Sequence, residues 1–325
     1  MPSLRPLRIV IPGGTGQIGQ ILARHFHEQG HHVVVIARHA KTSEWSTVIW
    51  NGYELGDWAN VIENADVVIN LAGRSVNCRY TAANQREIRN SRTITSGVVG
   101  QAIARAAQPP RIWLNASTAT IYRHSLDASM DDVTGEIGGN EPDVPRHWRF
   151  SIEVAEAWER AVFAQELPKT RRVVMRTGMV MSPDTGGAFD AYLRLVRWGL
   201  GGPIASGYQQ ISWIHDVDLI RVIEFLIARE EMTGAVNVCS PEPLSNRRFM
   251  RHLRTAWCTS YFGIPTPAWV LPFGAMLLRT EPELVLKSRK VVPRRLLDAG
   301  FDFHFPNWRG ACQDLVARWR QIHSD

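Results

Sequence analysis

The sequence predicts an α/β protein in which a doubly wound parallel sheet is followed by a smaller, mostly helical C-terminal domain. Short apolar runs alternate with amphipathic helical stretches through the first half of the 325-residue chain. A glycine-rich loop separates the first apolar run from the first helical stretch, and beyond residue 181 glycine and proline repeatedly interrupt the pattern. Strands that alternate with helices in this way favour a parallel sheet covered by helices on both faces.

The first half of the chain supplies five apolar runs of strand length and three helical stretches. Ile18, Leu22 and Phe26 recur at four-residue spacing, which puts them on one face of a helix that Gly30 ends. The second half adds two short apolar runs with one helical stretch between them. The predicted strands cover residues 7–11, 33–37, 67–71, 112–116, 172–176, 212–215 and 236–239, and the predicted helices cover residues 17–29, 81–107, 148–165 and 217–229.

The loop after the first predicted strand has the spacing of a dinucleotide-binding turn. Gly13, Gly16 and Gly19 form a G-x-x-G-x-x-G pattern between a strand and a helix. The first glycine permits the tight turn, the second lets the backbone approach a pyrophosphate, and the third lets the helix pack close to the strand. The following helix N-terminus offers N–H groups to phosphates. We therefore predict a Rossmann sheet whose cofactor contacts include Gly13, Gly14, Thr15, Gly16, Gln17, Ile18 and Gly19.

The end of the second predicted strand favours NADP(H) over NAD. NAD-binding proteins of this class commonly carry Asp or Glu there, which accepts a hydrogen bond from the ribose 2′-hydroxyl. This chain has Ala37 and Arg38 at that point and no carboxylate before Glu44. An arginine suits a 2′-phosphate through charge-assisted hydrogen bonds. The alternative is that Arg38 is an ordinary solvated surface residue.

These assignments predict a division of the chain into two domains. Residues 1–180 would form the NADP-binding Rossmann domain, and residues 205–240 would complete its sheet. Residues 181–204 and 241–325 would form the smaller C-terminal domain, which would cover the carboxyl edge of the sheet and bind the substrate.

Composition argues against several other classes of protein. The chain has 37 basic and 31 acidic residues, and its formal net charge of +6 is modest. Two arginine-rich groups at residues 247–254 and 289–295 match no nucleic-acid-binding module, so we expect no nucleic-acid partner. Four cysteines without metal-like spacing indicate neither a disulfide framework nor a metal site, and a reduced cytoplasmic setting is the simplest interpretation. We expect no signal peptide and no membrane span, because the apolar runs are too short.

Motifs spread over nearly the whole chain resemble a known family. They are GGTGQIG (13–19), NLAG (70–73), IRNSR (88–92), WE (158–159), RTGMV (176–180), GLGGPIASG (199–207), SWIH (212–215) and VVPRRLLDAGFDF (291–303). In combination they resemble the YfcH-like epimerase family, an atypical branch of the extended short-chain dehydrogenase/reductases that ends in a C-terminal domain of unknown function. The sequence departs from this family at Arg74, Arg123 and 216–218, near the expected substrate side.

The resemblance implies further cofactor contacts. They are Ala37 and Arg38 at the adenosine ribose, Leu71, Ala72 and Gly73 at the end of the predicted strand 67–71, Glu87 and Arg92 on the long helix, and Val180 after the predicted strand 172–176. Leu71 and Val180 could instead be core residues, and Glu87 could instead pair with Arg86 or Arg89. The resemblance also allows a homodimer packed through the helices at 81–107 and 148–165.

The catalytic pair of ordinary superfamily members is missing. Those proteins use a tyrosine and a lysine four residues later, whose charge lowers the pKa of the phenol. The four lysines of this chain are Lys41, Lys169, Lys287 and Lys290, and none follows a tyrosine at that spacing. Counting back from the WE motif assigns the two positions to Ser151 and Ala155, which can replace neither residue directly.

The resemblance implies that one part of the superfamily site is retained after the predicted strand at residues 112–116. Thr118 falls where a hydroxyl contacts the substrate carbonyl, and Ser117 lies beside it. We take Thr118, Ser117 and Tyr122 as the candidate catalytic residues. Further replacement acids or bases would be His124, Glu153 and His215, each of which has a structural alternative; His215 is expected to close the domain junction.

Two hypotheses follow from the sequence. The first is an NADP(H)-dependent oxidoreductase, or a nucleotide-sugar epimerase- or dehydratase-like enzyme, that acts on a small molecule without the Tyr-x-x-x-Lys pair. The alternative is a catalytically silent NADP(H)-binding sensor or regulatory protein.

Overall fold

A computed structural model describes residues 5–40, 42–142, 144, 145, 148–257, 263–267 and 283–323. Three of the four cysteines lie in these ranges and are free thiols, and Cys258 falls outside the described residues. Lys41 also falls outside them.

Seven strands build one parallel sheet, in the order β10-β6-β5-β4-β1-β2-β3. Two further pairs, β8 with β11 and β7 with β9, lie outside this sheet. Of residues 205–240, therefore, only β10 joins the main sheet. The strands are β1 (Arg8–Pro12), β2 (His32–Ala37), β3 (Ser46–Ile49), β4 (Val67–Asn70), β5 (Ile112–Thr118), β6 (Arg171–Thr177), β7 (Met179–Met181), β8 (Gln210–Ile211), β9 (Trp213–His215), β10 (Gly234–Val238) and β11 (Leu244–Ser245).

The described helices follow the predicted alternation, with one unpredicted addition, α4. They are α1 (Gln17–Glu28), α2 (Ala82–Arg105), α3 (Arg149–Phe163), α4 (Ala188–Arg197), α5 (Asp216–Ala228), α6 (Asn246–Trp257), the short α7 (Glu283–Leu286) and α8 (Arg294–Asp298), and α9 (Trp308–Ile322). Two 3₁₀ turns cover Asp57–Ile62 and Ala119–Ile121. No helix in the described ranges is long and apolar enough to cross a membrane.

The sheet is covered on both faces, which confirms the doubly wound α/β fold. Alternate side chains of β1 point to opposite faces, so Ile9 and Ile11 pack with α1 and α5. Val10 packs on the other face with residues of α2 and α3. Both sets of side chains are fully buried, as expected for a parallel sheet between two helical layers.

A second apolar core lies beside the sheet and is built by α4, α6 and α9. The Phe249 and Trp308 rings stack at 4.0 Å between centroids, and Trp213 of β9 meets Trp308 edge-on. His215 is fully buried at the junction, where its Nε2 lies 3.0 Å from Asp314. Its Nδ1 accepts a hydrogen bond from the Val217 N–H, and its ring stacks on Phe305. This placement agrees with the predicted structural role of His215.

Residues 283–292, hereafter the C-terminal strap, return to the end of β5. The Met130 N–H donates to the Lys290 carbonyl, and the Val292 N–H donates to the Met130 carbonyl. The Ser288 N–H donates to Nδ1 of His124. The strap thereby brings residues from late in the sequence beside the carboxyl edge of the Rossmann sheet.

Candidate functional site

A cleft opens at the carboxyl ends of β1, β4 and β5, where the strand order reverses. Open α/β sheets bind ligands at this switch point. Two adjoining cavities form the switch-point cleft, one of about 490 Å³ and one of about 290 Å³. Their shared walls include Gly13, Gly16, Leu71, Gly73 and Arg74.

The three glycines of the predicted loop have different surroundings. Gly13 has a φ of +78°, and a Cβ there would lie 2.6 Å from the backbone of Ala72. A Cβ on Gly19 would lie 2.4 Å from the Cα of Gly14, so α1 could not approach the loop this closely. A Cβ on Gly16 would meet no heavy atom closer than 3.7 Å, the Gly13 oxygen. Gly16 therefore leaves open the space that both cavities share, and the loop fits a dinucleotide.

The start of α1 faces this open space. Gly16 is its N-cap and supplies no side-chain capping bond, so the first-turn N–H groups are available to a ligand. Gln17, Ile18 and Gly19 line the larger cavity, and Thr15 lines the smaller one. Gly14 is buried and does not line either cavity.

The smaller cavity lies at the end of β2 and has a basic wall. Ala37 and Arg38 line it, and none of its lining residues is Asp or Glu. Among the described residues, the exposed Arg38 side chain has no hydrogen-bond or ion-pair partner. Arg74, also on the wall, is paired with Glu87. Trp50, Asn51 and Tyr53 complete this cavity, and sequence reasoning missed them because they follow an unpredicted edge strand.

The turn after β4 separates the two cavities. Leu71 and Gly73 line both of them, and Ala72 lines the smaller one. The Leu71 N–H donates to the Pro12 carbonyl, and the Ala72 N–H donates to the Asn70 side chain. These bonds hold the turn against the glycine loop.

Arg92 is a cation on the wall of the larger cavity without a carboxylate partner in the described part of the chain. Its Nη1 donates to the Ile88 carbonyl at 3.0 Å, and its guanidinium lies over the Trp158 ring. Burial lowers the pKa of Arg92 to about 10. Arg92 is partly buried, and a cation shielded from water is stabilised by an anion, so this position is suited to a phosphate or carboxylate.

Besides Gly14, three predicted site residues lie off the cleft lining. Val180 is partly buried against the main core and pairs with Ile214. The Glu87 side chain is mostly exposed and contacts Arg74, rather than Arg86 or Arg89. Tyr122 is 1% exposed.

The Tyr122 hydroxyl belongs to a buried network. It donates to the Asn237 side chain at 2.9 Å and accepts from Arg176 at 3.0 Å. Arg176 also makes a bidentate pair with Glu159, and Ser117 donates to the same carboxylate at 2.6 Å. Burial raises the pKa of Tyr122 although Arg176 opposes the shift. The structure therefore brings Ser117 to the cleft wall with its proton engaged, and does not bring the Tyr122 hydroxyl there.

Thr118 has a different hydrogen-bonding state. It lines the larger cavity, and its Oγ1 accepts from the Thr120 N–H at 3.1 Å. In the described part of the chain its hydroxyl proton has no acceptor. Of the three predicted catalytic residues, Thr118 is the one whose hydroxyl can donate into the cleft.

Ser151 and Ala155, the positions predicted for the absent tyrosine and lysine, both line the larger cavity one helical turn apart. Ser151 donates to Oε2 of Glu283, a 1% exposed carboxylate on the C-terminal strap, at 2.8 Å. Sequence spacing could not find this pair, because its members are 132 residues apart.

The other proposed replacement groups do not line the cleft. Glu153 is exposed on α3, and His124 bonds the strap. No group of three or more His, Cys, Asp or Glu residues in the described ranges could hold a metal ion.

Comparisons with known proteins give consistent results for sequence and structure. A sequence model of the "NAD dependent epimerase/dehydratase family" matches residues 9–239, and a "domain of unknown function" matches residues 266–315. The chain is 33% identical to the Bos taurus epimerase family protein SDR39U1 over 96% of this chain and all of that protein.

Two solved structures illustrate the likeness in fold. The crystal structure of human epimerase family protein SDR39U1 with NADPH is 29% identical, with a TM-score of 0.81 over 96% of this chain and 99% of that one. A nucleoside-diphosphate sugar epimerase from Corynebacterium glutamicum is 22% identical, with a TM-score of 0.74 over 98% of this chain and 62% of that one. The latter likeness concerns the fold alone.

Proposed function

The chain belongs to the NAD dependent epimerase/dehydratase family, and from that premise we propose that it is an NADP(H)-dependent oxidoreductase acting on a small molecule. The observation that carries the choice of cofactor is the smaller cavity, where Arg38 has no partner among the described residues and no lining residue is acidic. The human relative crystallised with NADPH supports the same choice.

The residues that would hold the cofactor fall into two groups. The glycine loop and the start of α1 would receive the pyrophosphate, and Arg38 would receive the 2′-phosphate. Leu71, Ala72 and Gly73 would separate the two halves of the site, and the partly buried Arg92 would supply a positive charge to the larger cavity. When bound, NADP(H) supplies or accepts the hydride, and the protein provides binding and orientation.

Thr118 would orient the substrate in the larger cavity. Because its Oγ1 already accepts a bond from Thr120, the hydroxyl proton is directed to another acceptor. A substrate carbonyl or hydroxyl oxygen in the cleft is such an acceptor. Thr118 does not transfer this proton, since a threonine hydroxyl is too weak an acid.

Ser151 and Glu283 would carry the proton that a tyrosine carries in ordinary superfamily members. In the direction of oxidation, the substrate hydroxyl gives its proton to Oγ of Ser151 while Ser151 gives its own proton to Oε2 of Glu283. In the direction of reduction both transfers are reversed. The 2.8 Å hydrogen bond and the burial of the carboxylate support this pairing.

Single-turnover oxidation of bound NADPH, followed by its absorbance against a library of carbonyl compounds, tests the proposal. We expect turnover with at least one compound, and a loss of about 100-fold or more in Ser151→Ala with NADPH affinity unchanged. Glu153→Ala, an exposed change two residues away on α3, is the matched control and should retain full activity. Turnover that survives Ser151→Ala would refute the proton path.

The second candidate is a catalytically silent NADP(H) sensor. The observation that favours it is that no lysine of the chain follows a tyrosine at four-residue spacing. It predicts tight NADPH binding with no turnover of any carbonyl compound, and a change in conformation or partner affinity on binding.

Dimerisation through α2 and α3 stays a prediction that sedimentation would test.

A further inference from the structure

A separate cavity lies beside the switch-point cleft, on the other side of the first turn of α3. This side cavity has a volume of about 480 Å³. Phe150 and Ser151 line the cleft, whereas Arg149 and Ile152 of the same turn line the side cavity. Its described wall also includes Asn140, Glu141, Trp148 and Lys287.

Lys287 of the C-terminal strap is the unusual member of this wall. It is 2% exposed, and its Nζ donates to the Thr120 carbonyl at 2.8 Å. No carboxylate of the described residues forms an ion pair with it. An ammonium group has three donors, so two N–H bonds of this buried cation remain for a ligand. A buried charge without such a partner is strongly unfavourable.

The charges around Lys287 do not neutralise it. Glu141 is occupied by the backbone N–H groups of His124 and Gly139, and Glu283 is occupied by Ser151. Burial and the neighbouring Arg289 lower the pKa of Lys287 to about 8, while Glu283 and Glu141 oppose that shift. His124, also close by, has a pKa lowered by burial and by Lys287 itself. Among the described residues, the Lys287 ammonium therefore has no carboxylate within ion-pair distance.

The other residues of the side cavity indicate the chemistry of its ligand. Arg149 adds a second cation at the rim, where its Nε and Nη2 bond Gly139 and Asn140 and its Nη1 is left for another acceptor. Trp148 and Ile152 give an apolar surface on one side. Such a wall suits an oxyanion group carried on an apolar or planar body.

We propose that the side cavity is the substrate subsite, and that it binds the oxyanion head, a carboxylate or a phosphate, of a substrate with an apolar body through Lys287. The inference rests on the proposed function, because the cavity serves a substrate only if the adjacent cleft takes NADP(H). Thr120 connects the two sites, since its carbonyl binds Lys287 and the residue itself lines the cleft. The reacting end of the substrate would then reach Thr118 and Ser151.

Nuclear magnetic resonance of lysine labelled with carbon-13 at Cε tests the proposal directly. The chain has only four lysines, so the Lys287 signal is assigned from its loss in Lys287→Gln, or by elimination from variants of the other three. Benzoate and phenyl phosphate share one apolar body and differ in the anionic head, and benzamide is the neutral control. Lys290, three residues further along the strap, is the matched lysine.

We expect the Lys287 signal to shift saturably with benzoate, phenyl phosphate or both, and not with benzamide, while the Lys290 signal does not move. The preferred probe identifies the head group. Binding should weaken above pH 8, as the ammonium loses its proton. An unmoved Lys287 signal in protein that still binds NADPH overturns the substrate subsite alone. Failure to bind NADPH refutes the proposed function, whatever the lysine signal does.

Discussion

Replacing Arg38 by alanine should remove the preference for NADPH and leave the affinity for NADH unchanged. Arg38 lines a cavity without an acidic residue, and no described residue competes for its guanidinium. A hydrogen bond to a charged group contributes about 1.5–3 kcal/mol. Because Arg38 is exposed and therefore screened, we expect the lower part of that range, about 1.5–2 kcal/mol, or roughly 10- to 30-fold in Kd.

Isothermal titration calorimetry with both nucleotides measures this difference. Arg38→Lys should recover part of the affinity for NADPH, because it keeps the charge and loses the planar fork. Arg24→Ala, on an exposed position of α1, controls for the loss of one positive charge. The Arg38 contribution should also decrease with added salt. Equal wild-type affinities, or an equal loss for both nucleotides in Arg38→Ala, would refute the assignment of the 2′-phosphate to this cavity.

Three further predictions concern stability and are measured by urea unfolding. Gly13→Ala should destabilise the protein by more than the roughly 1–2 kcal/mol that a left-handed backbone costs an alanine, because its Cβ would also meet Ala72. Gly30→Ala is the control for the backbone effect alone, because Gly30 has a φ of +80° and lies in open space. Equal losses of stability in the two variants would contradict the steric argument. Glu159→Gln should lower the free energy of unfolding by about 3 kcal/mol, because it leaves Arg176 without an anionic partner in its buried network. Glu87→Gln, at the mostly exposed pair with Arg74, should lower it by less than about 1 kcal/mol. Similar losses in the two variants would show that burial does not set the difference. Burial alone would raise the pKa of Asp216, but the interactions of its carboxylate with His215 and Arg318 outweigh burial and lower the pKa to about 2. The resulting stabilisation, about 2 kcal/mol, is present above the unfolded-state pKa of about 4 and is lost as the pH falls toward 2. Asp216→Asn should therefore unfold more easily at neutral pH and lose this acid dependence. An unchanged acid dependence in the variant would contradict the assignment to Asp216.

Local patterns in the sequence predicted the main sheet well, and two of the elements that they missed, β3 and α4, were missed for identifiable reasons. The inner strands are continuous apolar runs, and their observed ends lie within two residues of the predicted ones. The edge strand β3 is only partly buried, so it lacks that pattern. Helix α4 was hidden by glycines that bound it: Gly187 is its N-cap, and Gly186 and Gly199 have positive φ. The glycines that suggested an irregular segment therefore mark the ends of a helix.

The candidate site divides in the same way. The glycine loop and Arg38 could be predicted because the turn, the strand and the helix that position them are consecutive in sequence. The contacts of Ser151 with Glu283 and of Thr120 with Lys287 join residues 132 and 167 positions apart. Contacts between residues so far apart in sequence cannot be predicted from hydrophobic periodicity or from motif spacing. The chain has no lysine four residues after a tyrosine, yet Lys287 reaches the same region from another part of the fold.

Because the C-terminal strap lies late in the sequence, the nucleotide cleft is synthesised before the residues of the strap that complete the proposed substrate site. The strands and helices around the nucleotide loop leave the ribosome before Glu283 and Lys287 are translated. A nascent chain can therefore acquire its nucleotide cleft while the residues proposed to receive the proton and the substrate anion do not yet exist. Bound nucleotide would stabilise that early intermediate by mass action, and the strap would complete the substrate site after it emerges.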